Sequence, residues 1–151
     1  MKKIIKTTAI MLILAGMVSC GKENNEPVKI KIAYTEWLLK GIVDVETGTI
    51  RELDVEHLEY TGCRTLYFDT DTTAYGCAYA SEIYLNLSPQ QVFVVIKNEN
   101  DSYTGDIKLF YDTIKTITAY YITTDNDIPS ELKLYCNKGK NYLHYKKAIY
   151  Y

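Results

Sequence analysis

Four cysteines and two histidines are the side chains of this sequence best suited to nucleophilic, redox or metal chemistry. Two of the cysteines, Cys63 and Cys77, flank a turn-forming segment at residues 69–72. If a hairpin turn centres near Thr70, these cysteines lie almost opposite each other, and cross-strand neighbours come within disulfide reach. Cys63 and Cys77 are therefore candidates for a disulfide. Free thiols are the alternative, because a register shift of one residue would turn the two side chains to opposite faces.

Cys136 and the two histidines do not form a recognisable catalytic pattern. Cys136 shares the alternation of Leu132 and Leu134, which predicts a small buried hydrophobic residue. His144 could approach it across the last hairpin, but no further group completes a catalytic set. Zinc would need several ligands at fixed spacing, and no glycine-rich phosphate-binding motif occurs. The sequence therefore predicts no catalytic residue, no metal, no cofactor and no enzymatic activity.

The N-terminus has the pattern of a signal peptide. Lys2, Lys3 and Lys6 precede an apolar run at residues 7–18, and small residues lead to Cys20. A membrane-spanning helix needs roughly 20 apolar residues, so this run is short for a permanent anchor. Residues 1–19 are therefore predicted to be a removable signal and are excluded from the fold.

The residues at the predicted cleavage site resemble the bacterial lipobox. Met17, Val18 and Ser19 precede Cys20, which the resemblance identifies as the lipidated first residue of the mature chain. The resemblance implies a partner, the membrane, held through acyl chains at Cys20. Gly21 in place of aspartate resembles the signal that releases lipoproteins to the outer membrane. Residues 22–26 partly resemble the export tag of Bacteroidetes surface lipoproteins, so a periplasmic and a surface location both stay open.

Removal of residues 1–19 leaves 132 residues with 14 basic and 19 acidic side chains, a net charge of −5. This acidity disfavours nucleic acid as a partner. Residues 20–28 are polar and aperiodic, which predicts the lipidated cysteine and a flexible tether. Residues 29–151 are predicted to form a single domain, a lipocalin-like β-barrel, since the sequence has no second linker or internal repeat.

The body of the chain is rich in β-branched and aromatic residues, as is typical of strands. Apolar alternation or short apolar runs predict strands at residues 30–34, 37–44, 64–68, 74–79, 83–87, 92–96, 116–123, 132–136 and 141–145. Residues 137–140 predict the loop of a closing hairpin. One segment differs: Ile107, Phe110, Tyr111 and Ile114 have helical spacing, and Asp106 could cap a short helix ending at residue 115.

This pattern predicts an all-β fold, an antiparallel barrel of about eight strands with one short helix. A β-sandwich is the alternative. An eight-stranded barrel is either filled by its own side chains or holds one small ligand.

The order of the motifs resembles the small lipocalin-like lipoproteins of Bacteroidetes. The resemblance rests on Trp37-x-Leu39-x-Gly41, on Leu66-x-Phe68, and on the closing residues 132–135 and 141–146. It implies that Trp37 plugs the barrel entry. The interior or ligand-facing wall is expected to include Trp37, Leu66, Phe68, Tyr121 and Leu134.

Two functions are compatible with this sequence. The first is a tethered lipocalin-like lipoprotein that binds a small apolar or amphipathic ligand in the cell envelope. The second is a structural or protein-interaction lipoprotein with a filled barrel, acting through its surface tyrosines. Fifteen tyrosines, against three phenylalanines and one tryptophan, suit barrel walls, wet pockets and interfaces alike. Whether the barrel interior is filled decides between them.

Overall fold

The computed structural model describes residues 30–54, 64–76 and 82–149. The signal peptide, Cys20 and its tether lie outside these ranges, as do Cys63 and Cys77, so lipidation at Cys20 and the Cys63–Cys77 disulfide stay predictions.

Nine strands and one α-helix make up the described part of the chain. The strands are β1 (Thr35–Asp44), β2 (Ile50–Arg51), β3 (Thr65–Phe68), β4 (Thr73–Gly76), β5 (Glu82–Ser88), β6 (Gln91–Lys97), β7 (Ala119–Asp125), β8 (Ile128–Cys136) and β9 (Asn141–Lys147). The helix α1 (Gly105–Ile114) connects β6 to β7.

The strands form one antiparallel sheet in the order β6-β5-β4-β3-β1-β9-β8-β7, with the short β2 paired to β1. Eight strands curl into a half-barrel, which confirms the predicted all-β fold with one helix. In the part of the chain that the structure describes, the sheet ends at β6 on one side and at β7 on the other. The helix packs on the inner face, where Phe110 and Tyr111 join the core.

The core follows the period-two alternation of the strands. Trp37, Leu66, Phe68 and Leu134 are completely buried on the inner face, and the Trp37 and Phe68 rings meet edge to face at 6.3 Å. Tyr121, predicted to share this wall, lies instead on the outer face and is 58% exposed. In β7 the neighbouring Tyr120 and Ile122 pack toward the core, so alternation turns Tyr121 outward.

The strand predicted at residues 30–34 does not form. Tyr34 has a positive φ of 61°, which breaks an extended run before β1. The Asp71 carboxylate in the β3–β4 turn instead accepts hydrogen bonds of 3.0 Å from the backbone N–H groups of Ile32 and Ala33. This contact holds the chain where Ile32 is buried in the core.

The predicted helix is present, but Asp106 does not cap it. Thr104 is the N-cap, without a side-chain capping bond. Asp106 lies in the first turn, and its carboxylate accepts bonds from Arg51 Nη2 at 2.8 Å and from the Asp54 backbone N–H at 2.9 Å. These bonds attach the start of α1 to the segment around β2, near the middle of the sheet.

Gly41 allows β2 to approach β1. The ladder between β1 and β9 has a bulge between Leu39 and Gly41, where Gly41 adopts a φ of +154°. A Cβ at this position would lie 2.4 Å from the Arg51 carbonyl oxygen. Any larger residue would therefore displace β2.

Candidate functional site

A row of aromatic side chains crosses the outer face of strands β3 to β6. Tyr67 lies opposite Tyr75, and Tyr75 lies opposite Tyr84. The Tyr67 and Tyr75 rings are 5.3 Å apart, and the Tyr84 and Phe93 rings are 6.5 Å apart. We call Tyr67, Tyr75, Tyr84 and Phe93 the outer aromatic row.

Alternation within each strand places this row on the outer face. Leu66, Ala74 and Leu85 point into the core, so the residues next to them point outward. Tyr75 is 41% exposed and Tyr84 is 40% exposed, so each presents part of its ring to solvent. Four adjacent strands thus hold an aromatic surface on a rigid support.

An open groove of about 430 Å³ runs beside the row. Tyr75, Tyr84 and Val95 form its apolar part, and Glu82 and Lys97 form its polar margin. Glu82 Oε2 lies 3.5 Å from Lys97 Nζ, and both side chains are exposed, so this ion pair contributes little to stability. The groove therefore offers apolar ring faces, phenol hydroxyl groups and two opposite charges to a bound molecule.

A second aromatic cluster lies on the outer face of β8 and β9. The Tyr135 and Tyr142 rings are 5.5 Å apart, and Lys133 Nζ lies 5.3 Å from the centre of the Tyr142 ring. His144 packs edge to face on Tyr142 at 6.1 Å. Tyr121 borders this cluster, because it pairs with Lys133 across β7 and β8.

The environment of His144 lowers the pKa of its imidazole. Burial lowers the pKa of the imidazole, and the nearby Glu131 only partly opposes this effect. His144 Nε2 lies 3.4 Å from Glu131 Oε1, within ion-pair distance, but the geometry does not make a hydrogen bond.

The structure separates Cys136 from His144. Cys136 is completely buried on the inner face, where it pairs with Asn141 across the hairpin, whereas His144 faces outward. Burial raises the pKa of the Cys136 thiol to about 12, so the thiolate nucleophile is not available near neutral pH. Among the described residues, no group of three or more His, Cys, Asp and Glu side chains could hold a metal ion.

Four of the five predicted wall residues form a packed core. A side chain that borders a hollow wide enough for water keeps some accessible surface, and Trp37, Leu66, Phe68 and Leu134 keep none. Tyr75 and Tyr84 belong to segments that the sequence predicts to be strands, but the sequence pattern did not single out Tyr67 and Phe93 as members of one row. The alternation of Tyr67 between Leu66 and Phe68 was the available signal.

Comparison with known proteins gives a relative in sequence and a solved structure with a similar fold. No protein-family model matches the chain. A protein of Tannerella forsythia named "Putative lipoprotein" is 30% identical over 145 residues, covering 96% of both chains. An NMR structure of a protein from Burkholderia xenovorans aligns with a TM-score of 0.51 at 12% identity, covering 79% of this chain and 85% of that one, which shows a shared fold. Within the described residues, no helix is both long enough and apolar enough to span a membrane.

Proposed function

The chain belongs to the family of the Tannerella forsythia lipoprotein relative, and from this premise we propose that it is a lipid-anchored, non-enzymatic envelope protein that binds a partner through its outer aromatic row. The observation that carries the proposal is the combination of a filled inner face with an exposed row of aromatic rings on the outer one.

The anchor in this proposal is Cys20, with residues 20–28 as the tether and the outer membrane as the location. The lipobox-like residues before Cys20 and the lipoprotein relative support it. Cys20→Ser removes the acceptor thiol, so the protein should move from the membrane fraction to the soluble fraction and lose metabolic labelling with radioactive palmitate. A variant that stays in the membrane fraction with its label would contradict the anchor.

The filled inner face directs binding outward. Ile83 and Leu85 are fully buried beside Leu66 and Phe68, and the helix covers the same face with Phe110. These contacts favour the interaction hypothesis over a ligand held inside the sheet. Exposed tyrosine rings with hydroxyl tips are enriched where proteins meet other proteins.

The positions of the nucleophile and base candidates support a non-enzymatic role. Cys136 and His144 lie on opposite faces of the closing hairpin, so they do not form a nucleophile–base pair.

A second function is favoured by the groove beside Tyr75 and Tyr84. Its volume of about 430 Å³ falls in the range of sites for small organic ligands. A small amphipathic ligand could place its apolar part on the two rings and its polar part near Glu82 and Lys97. This second function keeps the small-ligand hypothesis but places the ligand on the outer face of the sheet and not in its interior.

Photo-crosslinking in intact cells tests the proposal. A photoreactive amino acid at position 75 or 84 should give a discrete protein adduct, whereas the same group at Tyr121, on another part of the outer face, should not. The adduct from position 75 should disappear when Tyr84 is also changed to serine. Equal adducts from positions 84 and 121 would contradict the proposal. A small-molecule mass shift confined to position 75 or 84 would favour the ligand alternative.

A further inference from the structure

One edge of strand β6 has no neighbouring strand within residues 30–54, 64–76 and 82–149. The Leu87 N–H donates to the Thr72 carbonyl at 2.7 Å, so odd-numbered residues of β5 bond to β4 and even-numbered residues bond to β6. Because Tyr84 pairs with Val95, the backbone N–H and C=O groups of the odd-numbered residues of β6 point toward β5. The backbone groups of Val92, Val94 and Ile96 therefore point away from the sheet, and no described residue bonds to them.

We propose that a second copy of this chain pairs with this edge, β6 against β6 in antiparallel orientation, about a twofold axis at Val94. Each of the residue pairs formed by Val92, Val94 and Ile96 then exchanges two backbone hydrogen bonds. The two curled sheets join into one continuous sheet.

The core is incomplete at this edge. Ile83, Leu85 and Leu87 of β5 are fully buried, but Val92, Val94 and Ile96, which continue the same inner face, are only half-buried. They are half-buried because no strand of the described chain lies beyond them. A second β6 would cover them with identical apolar side chains, which adds hydrophobic stabilisation to the backbone bonds.

The sequence of β6 is self-complementary in this register. Only residues whose backbone groups face the edge can form hydrogen-bonded pairs, so even-numbered residues must meet even-numbered ones. With Val94 opposite itself, Val92 meets Ile96 of the second copy and Phe93 meets Val95 of the second copy. All seven residues of the strand are then paired.

The charges of β6 favour the same register. Its single charged residue, Lys97, lies opposite Gln91 of the second copy, so no two lysines meet. A shift that centres the axis on Ile96 would put Lys97 opposite Val95 and pair fewer residues. Proline and charged residues commonly prevent edge strands from pairing with other chains, and residues 92–96 contain neither.

The outer aromatic row supports a second copy as the occupant. Tyr84 pairs with Val95, and Phe93 lies next to Tyr84 on the outer face. When Phe93 and Val95 meet their counterparts across the axis, the rows of both copies become one row. The binding surface is thereby doubled without an additional contact inside either copy.

Cysteine substitution in the full-length chain, in membranes of its native host, tests the pairing. Val94→Cys places two thiols opposite each other with Cα atoms ~5.5 Å apart, within disulfide range. Val95→Cys is the matched control, since its two copies lie ~8 Å apart once two residues of offset are added to the strand spacing. Under mild oxidation, Val94→Cys should give a covalent homodimer, and Val95→Cys and the unaltered chain should not.

Crosslinking between two differently tagged chains is a second test, and it does not depend on whether the Val94→Cys variant folds. Phe93→Cys on one chain and Val95→Cys on the other form a close cross-strand pair, so they should crosslink when co-expressed. Neither should crosslink alone. Absence of both products, equal crosslinking of Val95→Cys alone, or crosslinking of Val94→Cys to a different protein would overturn the proposal.

Discussion

The two edges of the sheet, β6 and β7, have the same backbone arrangement but different side chains. The Val45 N–H donates to the Lys140 carbonyl, which fixes the residues of β9 whose backbone groups bond to β1. Backbone groups alternate in direction along each strand, so the registers of β9 with β8 and of β8 with β7 show which groups of β7 are left over. They are the backbone groups of Tyr120 and Ile122, which face the open edge. Val92, Val94 and Ile96 hold the equivalent positions in β6. In both strands the open backbone groups belong to residues whose side chains point inward.

The two edges differ in the regularity of the strand and in its polar residues. In β6, apolar residues run without a break from Val92 to Ile96. In β7, a bulge interrupts the pairing between Thr123 and Thr124, and the strand ends at Asp125. Bulges and polar residues discourage pairing with another chain. Under the proposed pairing, the edge that forms the interface is the one with a regular register and apolar side chains.

The largest effect is expected from Val95→Pro. The Val95 N–H faces β5, so proline removes a bond of the ladder within the chain. The free energy of unfolding should fall by roughly 1–3 kcal/mol, because the Tyr84 carbonyl across the ladder loses its donor. Chemical denaturation followed by circular dichroism measures this change. An unchanged unfolding midpoint would show that the assigned alternation of β6 is wrong.

Proline at the open positions compares the two edges directly. Val94→Pro and Ile122→Pro each remove an N–H that faces the open edge, where proline is tolerated. Both variants should remain folded, but only Val94→Pro should abolish the dimer in native mass spectrometry from detergent. Loss of the dimer in Ile122→Pro would place the interface at β7 instead.

Charge at Gln91 tests the register of the pairing. Gln91→Lys places lysines opposite each other at both ends of the interface, and Gln91→Glu places opposite charges there. Each directly opposed pair changes the binding energy by roughly 0.2–1 kcal/mol. The lysine variant should dimerise more weakly and the glutamate variant more tightly, with both differences shrinking as salt is added. Analytical ultracentrifugation measures the dissociation constants, and equal constants for both variants would contradict the register.

The smallest effect is expected at Asp106, which holds α1 at the middle of the sheet. The Asp54 backbone N–H, and then Arg51, keep the pKa of this carboxyl below its ordinary value. A lowered pKa stabilises the fold above the unfolded-state pKa, and this contribution is lost as the pH falls through the folded-state value.

Asp106→Asn should therefore lower stability at pH 7 by less than about 1 kcal/mol and should flatten the loss of stability toward pH 3. Dimerisation should not change, because Asp106 contacts neither edge. Denaturation at a series of pH values measures the effect, and an identical acid dependence in both proteins would contradict it.

The sequence predicted the strands and the helix because alternation and helical spacing are local signals. Leu66, Phe68 and Leu134 were predicted to lie inside, and they are buried. Tyr121 was assigned to the wrong face, because tyrosine suits both faces and only the register of β7 decides between them. The segment at residues 30–34 alternates like a strand, but Tyr34 adopts a positive φ and the Asp71 carboxylate holds the backbone before it.

The candidate site was less predictable than the fold. The outer aromatic row depends on the pairing of four strands, so no single strand reveals it. The run from Val92 to Ile96 is typical of a strand with neighbours on both sides, and only the topology places it at an edge.

Amide hydrogen exchange at the two edges tests the central claim most directly. It is measured by NMR, residue by residue, on the mature lipidated protein in detergent at two protein concentrations. We expect the amides of Val92, Val94 and Ile96 to exchange more slowly at the higher concentration, with no concentration dependence at Tyr120 and Ile122. Exchange at β6 that does not depend on concentration, or equal protection appearing at β7, would contradict pairing through β6.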